Sequence, residues 1–422
     1  MGEQSKERSR DAVSNRDEIG EALTSIFRQL SVNSTASPES PADGAGSIGT
    51  LSTRQAYDET SGTALFLAAY YNATNDAVAH GPAMRCATQL HFLLKQTTTL
   101  GQAQPDVSRV GGLAGLSSVL YILVRLATWL NMKELLNLAT DVANSITPGQ
   151  ILSEELDVMC GCAGTLLSLL SFAEEGEGMG IDTGRVSDLA VLCGQHLLDR
   201  RTYSGFGPRA WPGKDSPQLP GFAHGAAGIS YALVRLFQHT GQARFRDAAM
   251  EGFAFERTLY LPELATWLDP RCNRPLNKAS WCEGAPGIAL SRLGCIGRID
   301  SHALRHDLEE ALSITRSLPE GPLDDLCCGT FGRVEIMHTA GLVLGRLHLT
   351  ERARELARSA LSRAAIYGWR FQSPTPHYDA GRCNIFGLCP SLLSRLPGVG
   401  YALLRLNYPD LFPSVLLLEA HR

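Results

Sequence analysis

The feature that most constrains this chain is a recurring junction, in which a small-residue or glycine-rich turn runs straight into an apolar stretch. It occurs at Ser61-Gly62 before TALFLAAYY, at Gly111-Gly112-Leu-Ala-Gly115 before LSSVLYILVRLA, and at Gly161-Cys-Ala-Gly164 before TLLSLLSF. It returns at Gly225-Ala-Ala-Gly228 before ISYALVRLF, Gly284-Ala-Pro-Gly287 before IALSRL, Gly329-Thr-Phe-Gly332 before RVEIMHTAGLVL, and Pro397-Gly398-Val-Gly400 before YALLRLN. Junctions separated by roughly 45 to 70 residues have the spacing of a repeat architecture. Between them, segments 133–146, 185–200, 243–259, 302–318 and 352–367 place apolar residues at three-to-four spacing and charges on the opposite face. An apolar helix alternating with an amphipathic one predicts a closed double ring, the apolar helices inside and the amphipathic ones shielding them. No run of alternating strand residues competes with that reading. The expected fold is all-α, an α/α toroid of about seven inner and seven outer helices. Turns entering the inner helices then crowd at one end of the ring, where only small residues allow close backbone approach.

Residues 1–55 lack this period. They are rich in Ser, Arg, Glu, Asp and Gly, with Pro38 and Pro41, and read as a flexible lead-in holding one short amphipathic helix over 19–30. The periodic unit spans 56–422. A net charge of −5 and the lack of any basic run argue against nucleic acid or an anionic membrane as partner. The N-terminus has no apolar signal core, and Lys6 breaks the myristoylation pattern. The longest apolar stretch, 113–130, is interrupted by Arg125 and predicts a buried helix rather than a membrane span. A cytoplasmic protein is expected. Eleven cysteines, an odd number without framework spacing, predict reduced thiols. Cys86, Cys160, Cys162, Cys193, Cys272, Cys295, Cys383 and Cys389 are expected to pack as small hydrophobes.

Three junctions carry chemistry. Cys282 stands in Trp281-Cys-Glu-Gly284, Cys327 and Cys328 in Leu326-Cys-Cys-Gly329, and His224 in Gly221-Phe-Ala-His-Gly225. Three thiolates from neighbouring repeats, each at the mouth of an inner helix, suit zinc, whose catalytic sites use three protein ligands and leave a fourth position open. Magnesium, calcium and manganese prefer oxygen. No fourth cysteine occupies a turn of the same kind, which disfavours a closed structural site. His224 shares the rim with the cysteines, and imidazole suits acid/base work near neutral pH. Asp157, five residues before Cys162, is a further candidate on spacing.

Jointly, Leu156-Asp157-Val158 with Gly161-Cys-Ala-Gly164, Gly221-Phe-Ala-His224-Gly225, Trp281-Cys282-x-Gly284-x-Pro286-Gly287 and Leu326-Cys327-Cys328-Gly329-x-x-Gly332 resemble the lanthionine synthetase C-like family, the cyclases of lanthipeptide biosynthesis. The resemblance extends over 56–422, and the chain's last segment is similar to the C-terminus of the bifunctional class II synthetases. It implies an α/α toroid with one catalytic zinc. Cys328 stands where family members usually carry a histidine ligand, which resembles the three-cysteine subgroup. Carried over, Cys282, Cys327 and Cys328 become the metal ligands, His224 the acid/base and Asp157 its partner. The implied reaction adds a peptide cysteine to dehydroalanine or dehydrobutyrine in a dehydrated precursor peptide. Glu283, Lys278 and Arg333 depart from common family residues. Class II synthetases carry a large dehydratase domain ahead of the cyclase, which residues 1–55 cannot hold; the chain is therefore expected either to take its substrate from a separate dehydratase or to be a detached fragment. Glutathione addition to dehydroamino acids and a non-catalytic, zinc-bearing peptide-binding toroid are the alternative readings.

Overall fold

The computed structural model describes residues 18–32, 53–99, 110–299, 301–371 and 389–421, except positions 154, 204, 206, 214, 215, 277 and 278. After a helix over 18–32 (α1), the helices are α2 (Thr53–Thr74), α3 (Ala77–Thr99), α4 (Leu116–Leu130), α5 (Lys133–Ser145), α6 (Pro148–Ser153), α7 (Cys162–Gly178) and α8 (Gly184–Asp199). They continue with α9 (Ala226–Thr240), α10 (Ala243–Thr258), α11 (Ala285–Cys295), α12 (His302–Ser317), α13 (Thr330–Leu344), α14 (Leu347–Tyr367) and α15 (Leu396–Asn407).

Packing closes the ring. In sequence order α2, α4, α7, α9, α11, α13 and α15 each pack on the next, and α15 packs back on α2. From α2 to α13, each of these inner helices lies against the helix that follows it outside: α3, α5, α8, α10, α12 and α14. Helix α1 adds its Ile19, Leu23, Ile26, Phe27 and Leu30 to the same core, with Phe27 stacked on Tyr70 at 4.6 Å. The difference between the layers follows from composition. Helix α4 is mostly apolar and buries every residue but Thr128. In contrast, α5 buries only Leu135, Leu138, Ala139, Val142 and Ala143, one stripe of its surface. The protein is an α/α toroid.

The two ends of the ring are built differently. At one end, α2, α4, α9 and α13 turn into their outer helices across two residues, helped by left-handed caps at Asn131 (φ 53°), Gly241 (φ 68°) and Gly345 (φ 64°), and α7 and α11 do so through slightly longer turns. At the other end the connections are longer and form the rim that enters each inner helix. Two of these connections hold short strands that the sequence pattern did not reveal: β1 (Thr202–Tyr203), β2 (Arg209–Ala210), β3 (Pro212–Gly213) and β4 (Ser216–Gln218) before α9, and β5 (Tyr260–Leu261), β6 (Thr266–Asp269) and β7 (Arg274–Pro275) before α11. Strands of two to four residues are too short to show a two-residue period.

Expected outer helices agree with observation within a residue or two, except that α14 begins at Leu347 rather than at 352. Ser61-Gly62, expected as a turn, lies inside α2 instead. Its small size serves packing: a Cβ on Gly62 would stand 2.7 Å from the Leu392 amide nitrogen, and the Gly62 N–H donates to Ser391 Oγ at 2.9 Å. Helix α3 had no counterpart among the expected segments, because its apolar stripe is weak and Pro82 lies within it. None of the helices among the described residues is long and apolar enough to cross a membrane.

The short-turn end is sealed by the chain's last segment. Tyr121, Tyr231 and Tyr401 donate their hydroxyls to the carbonyls of Glu419 (3.1 Å), Leu417 (3.3 Å) and Pro413 (3.1 Å). Each belongs to a Tyr-x-x-x-Arg-Leu repeat on an inner helix. Of the matching arginines, Arg125 donates to Glu419 O, Arg405 donates through Nε to Phe412 O at 3.1 Å, and Arg235 holds Tyr231 Oη at 3.0 Å.

Candidate metal centre and its rim

At the rim, successive turns are linked by backbone hydrogen bonds in one register. The N–H groups of Leu113 and Ala114 donate to Met159 O, those of Val158 and Met159 to Ala223 O, and that of Ala223 to Cys282 O. Trp281 N–H then donates to Cys327 O, and Leu326 and Cys327 N–H to Leu393 O, all at 2.9–3.2 Å. Cys282 and Cys327 therefore occupy equivalent positions of adjacent turns. Cys328 and His224 each stand one residue past theirs. Glycines permit the tight wrap: a Cβ on Gly287 would lie 1.9 Å from Trp281 O, and one on Gly332 2.2 Å from Leu326 O.

This register gathers three sulfurs. Cys282 Sγ and Cys327 Sγ each lie 3.5 Å from Cys328 Sγ, and all three fall within 4.8 Å of one another. Tetrahedral zinc with bonds of about 2.3 Å separates its sulfurs by about 3.8 Å, so the cluster fits such an ion with little adjustment. Among the described residues it is the one group of three or more Cys, His, Asp or Glu ligands close enough to share a metal. Cys282 and Cys327 are buried and Cys328 half-buried. Hydrogen bonds from Cys327 and Cys328 hold the Cys282 thiol well below its ordinary range, and the same bonds to Cys282 push Cys327 and Cys328 up. Three sulfurs held this close are the donor set a soft cation would complete. Asp325, absent from the sequence-derived candidates, accepts the Cys328 N–H at 2.7 Å, and burial raises its carboxyl to about 6.

The structure brings His224 and Asp157 together. His224 Nδ1 lies 2.7 Å from Asp157 Oδ2, while Asp157 Oδ1 accepts the Cys160 N–H at 2.8 Å. Burial alone would lower the imidazole pKa. The hydrogen bond and charge of Asp157 outweigh it, with the Cys282 thiolate and Glu283 adding, and the result is a pKa of about 9. With Nδ1 engaged by the carboxylate, Nε2 is the nitrogen left to exchange a proton. Asp325 stands three residues before Cys328 as Asp157 stands three before Cys160, but Asp-x-x-Cys also occurs at Asp269–Cys272 and Asp324–Cys327, so the pattern alone would not have singled it out.

Other candidates resolve differently. Cys160, expected only to pack, is buried and also disulfide-bonded. Such a bond needs two Cβ atoms about 3.8 Å apart, which linear spacing cannot disclose. Eight further cysteines, the three rim sulfurs among them, are thiols. Arg333 caps the end of α12, donating to Leu318 O at 2.6 Å and Thr315 O at 3.3 Å. Lys278 and Cys383 lie outside the described residues. Glu283 accepts a hydrogen bond from Arg271 Nη1 at 2.6 Å, a pairing of residues twelve apart that no local motif announces.

The model of the lanthionine synthetase C-like proteins matches residues 53–417. The chain belongs to that family. Among solved structures, nisin cyclase superposes with a TM-score of 0.60 at 16% identity, covering 93% of this chain and 94% of that one. At that identity the likeness speaks to the fold, and it is the same toroid. A sugar epimerase from a ruminal bacterium (TM-score 0.44, 11% identity, 71% and 87% covered) and an unsaturated glucuronyl hydrolase specific for heparin (0.41, 14%, 70% and 84%) are more distant. No curated protein matches the sequence.

Proposed function

We propose that this member of the lanthionine synthetase C-like family is a zinc-dependent cyclase that adds cysteine thiols of a dehydrated peptide to dehydroalanine or dehydrobutyrine residues of the same peptide. Residues 56–422 would carry the activity, and the dehydrated peptide would come from a separate dehydratase. The observation that carries this reading is the three-cysteine cluster in one rim register with the His224–Asp157 pair. Cys282, Cys327 and Cys328 would hold one zinc ion, which when bound supplies the Lewis acidity that makes a peptide thiol a thiolate near neutral pH.

The protein's own residues account for the rest. As the sulfur lone pair forms the S–C bond at the β-carbon, the carbon–carbon π pair moves toward the carbonyl as an enolate. His224, held protonated by Asp157, donates its Nε2 proton to the α-carbon. The thiol proton is thereby exchanged for a C–H proton and the peptide's mass is unchanged. Asp157 fixes the ring through Nδ1 and stabilises its charged form.

The deciding experiment measures zinc stoichiometry together with loss of peptide thiols on incubation with a dehydrated, cysteine-containing peptide. One zinc per chain, with thiols lost at constant peptide mass, is expected. Bound zinc with peptide thiols untouched overturns the cyclase reading, and added glutathione then shows whether an external thiol is the nucleophile.

A further inference from the structure

Beside the cluster lies a guanidinium with no part in the chemistry above. Arg271 stands at the tip of the β6–β7 hairpin. Its Nε and Nη2 donate to the two carboxylate oxygens of Asp269 at 2.9 and 2.7 Å, and its Nη1 to Glu283 Oε1 at 2.6 Å. The hairpin tip is itself rigid. Asp269 Oδ1 also accepts the Arg271 N–H at 3.0 Å, and Asp269 O accepts the N–H groups of Cys272 and Asn273 at 3.3 and 2.9 Å.

Arginine carries five N–H donors. Three are engaged, which leaves one on each terminal nitrogen. The arginines that hold the opposite end of the ring are fully enclosed, whereas the Arg271 side chain is 35% exposed. Its position is close to the candidate chemistry: Glu283 follows the cluster residue Cys282 directly, and its carboxylate acts on the His224 ring. A carbonyl oxygen is a fitting acceptor for the two N–H groups that remain.

We propose that Arg271 is a peptide-binding residue of the rim, donating its two remaining N–H groups to a backbone carbonyl oxygen of the segment that carries the reacting cysteine. The assignment rests on the cyclase reading and deepens it. Asp269 and Glu283 pre-set the fork, so little side-chain freedom is lost when the peptide arrives. A backbone carbonyl is present in every peptide, so this contact orients the chain without selecting its sequence.

The test is a binding titration with the zinc-loaded protein and a fluorescent dehydrated peptide whose cysteine is replaced by alanine, so that no ring can form. Arg271→Gln should weaken binding roughly ten-fold or more, with zinc content and melting temperature unchanged. Arg271→Lys should recover only part of the loss, since an ammonium cannot reproduce the fork. Arg274→Gln, on the next strand of the hairpin, should bind as the parent does and controls for charge. With the reactive peptide, Arg271→Gln should raise KM more than it lowers kcat. Unchanged affinity and KM in Arg271→Gln, or a loss of zinc or of melting temperature matching the loss of binding, overturns the proposal in favour of a hairpin clamp or of no role. A parent protein that binds the peptide but never closes rings overturns the cyclase reading, while the titration still decides the peptide contact. One that does not bind it overturns both.

Discussion

Three sulfurs that share a cation must all be thiolates, and the fold prepares one of them in advance. Cys282 is held low by its neighbours while Cys327 and Cys328 are pushed up, so metal binding at neutral pH should release protons from the cluster, chiefly from Cys327 and Cys328. Calorimetry in buffers of different ionisation enthalpy measures their number. Release of none would mean the ion sits elsewhere. Cys327→Ala should lose zinc and ring formation together, whereas His224→Asn should keep zinc and slow ring closure by about 100-fold or more. Metal analysis of the two variants separates ligand from proton donor. The His224 pKa of about 9 adds a pH signature. If the charged ring is the acid, activity holds up to that pH and falls above it. Asp157→Asn removes the charge and weakens the hydrogen bond that raise the value, leaving the burial that lowers it, so the alkaline limb should move down from about 9 toward 6.5. The sign extends to stability. A pKa raised on folding stabilises the protein fully below about 6.5, and that contribution disappears as pH rises through about 9. A limb that stays in place in Asp157→Asn would assign it to another group.

At the scale of the element, one glycine position carries much of the rim. The third residue of α11 and of α13 is Gly287 or Gly332, and a Cβ there would collide with the carbonyl of the residue six earlier. Because that carbonyl belongs to the turn bearing Cys282 or Cys327, Gly332→Ala should cost about 1–3 kcal/mol and weaken zinc binding as well. Gly149→Ala in α6, where a Cβ meets nothing within 4 Å, should be near neutral. Urea unfolding with metal titration tests both, and equal effects would show that the crowding is not what matters. The same glycines made the inner helices legible in the sequence, since each announced a helix start beside an apolar run. Ser61-Gly62 misled for a related reason: close approach to Ser391 and Leu392 requires small residues inside α2 just as it does at a turn. The hairpins and the Arg271–Glu283 pair were not legible, because they depend on contacts across a loop rather than on a period. The sulfur cluster was legible because the repeat itself sets the register that brings its members together.

At the scale of the whole molecule, a ring of helices must be closed at its seam and covered where its inner helices end. Helix α15 packing on α2 closes the seam, and the last segment covers the far end, gripped by tyrosines and arginines from α4, α9 and α15. The grip is charged as well as hydrogen-bonded. Arg125 Nη2 lies 2.9 Å from Glu175 Oε1, both side chains almost fully enclosed, and Glu175 also accepts the His421 N–H at 2.7 Å. The repeated Tyr-x-x-x-Arg-Leu was visible in the sequence, yet its meaning lay in a segment some 300 residues from its first copy, the Tyr121–Glu419 bond spanning 298 positions. Removing one member should therefore disturb several elements at once. Arg125→Met leaves Glu175 buried without its cation and should cost about 3–5 kcal/mol. Replacing both, as Arg125→Met with Glu175→Met, should regain much of that, because two methionines need no counter-charge. The rim lies at the opposite end, so zinc affinity in the folded population should stay at the parent value throughout. Equilibrium unfolding with metal titration gives both quantities for the three variants. A single variant within about 0.5 kcal/mol of the parent would show that the tail is a passive cover. A double variant no better than the single would show that tail packing, rather than the ion pair, holds that end of the ring shut.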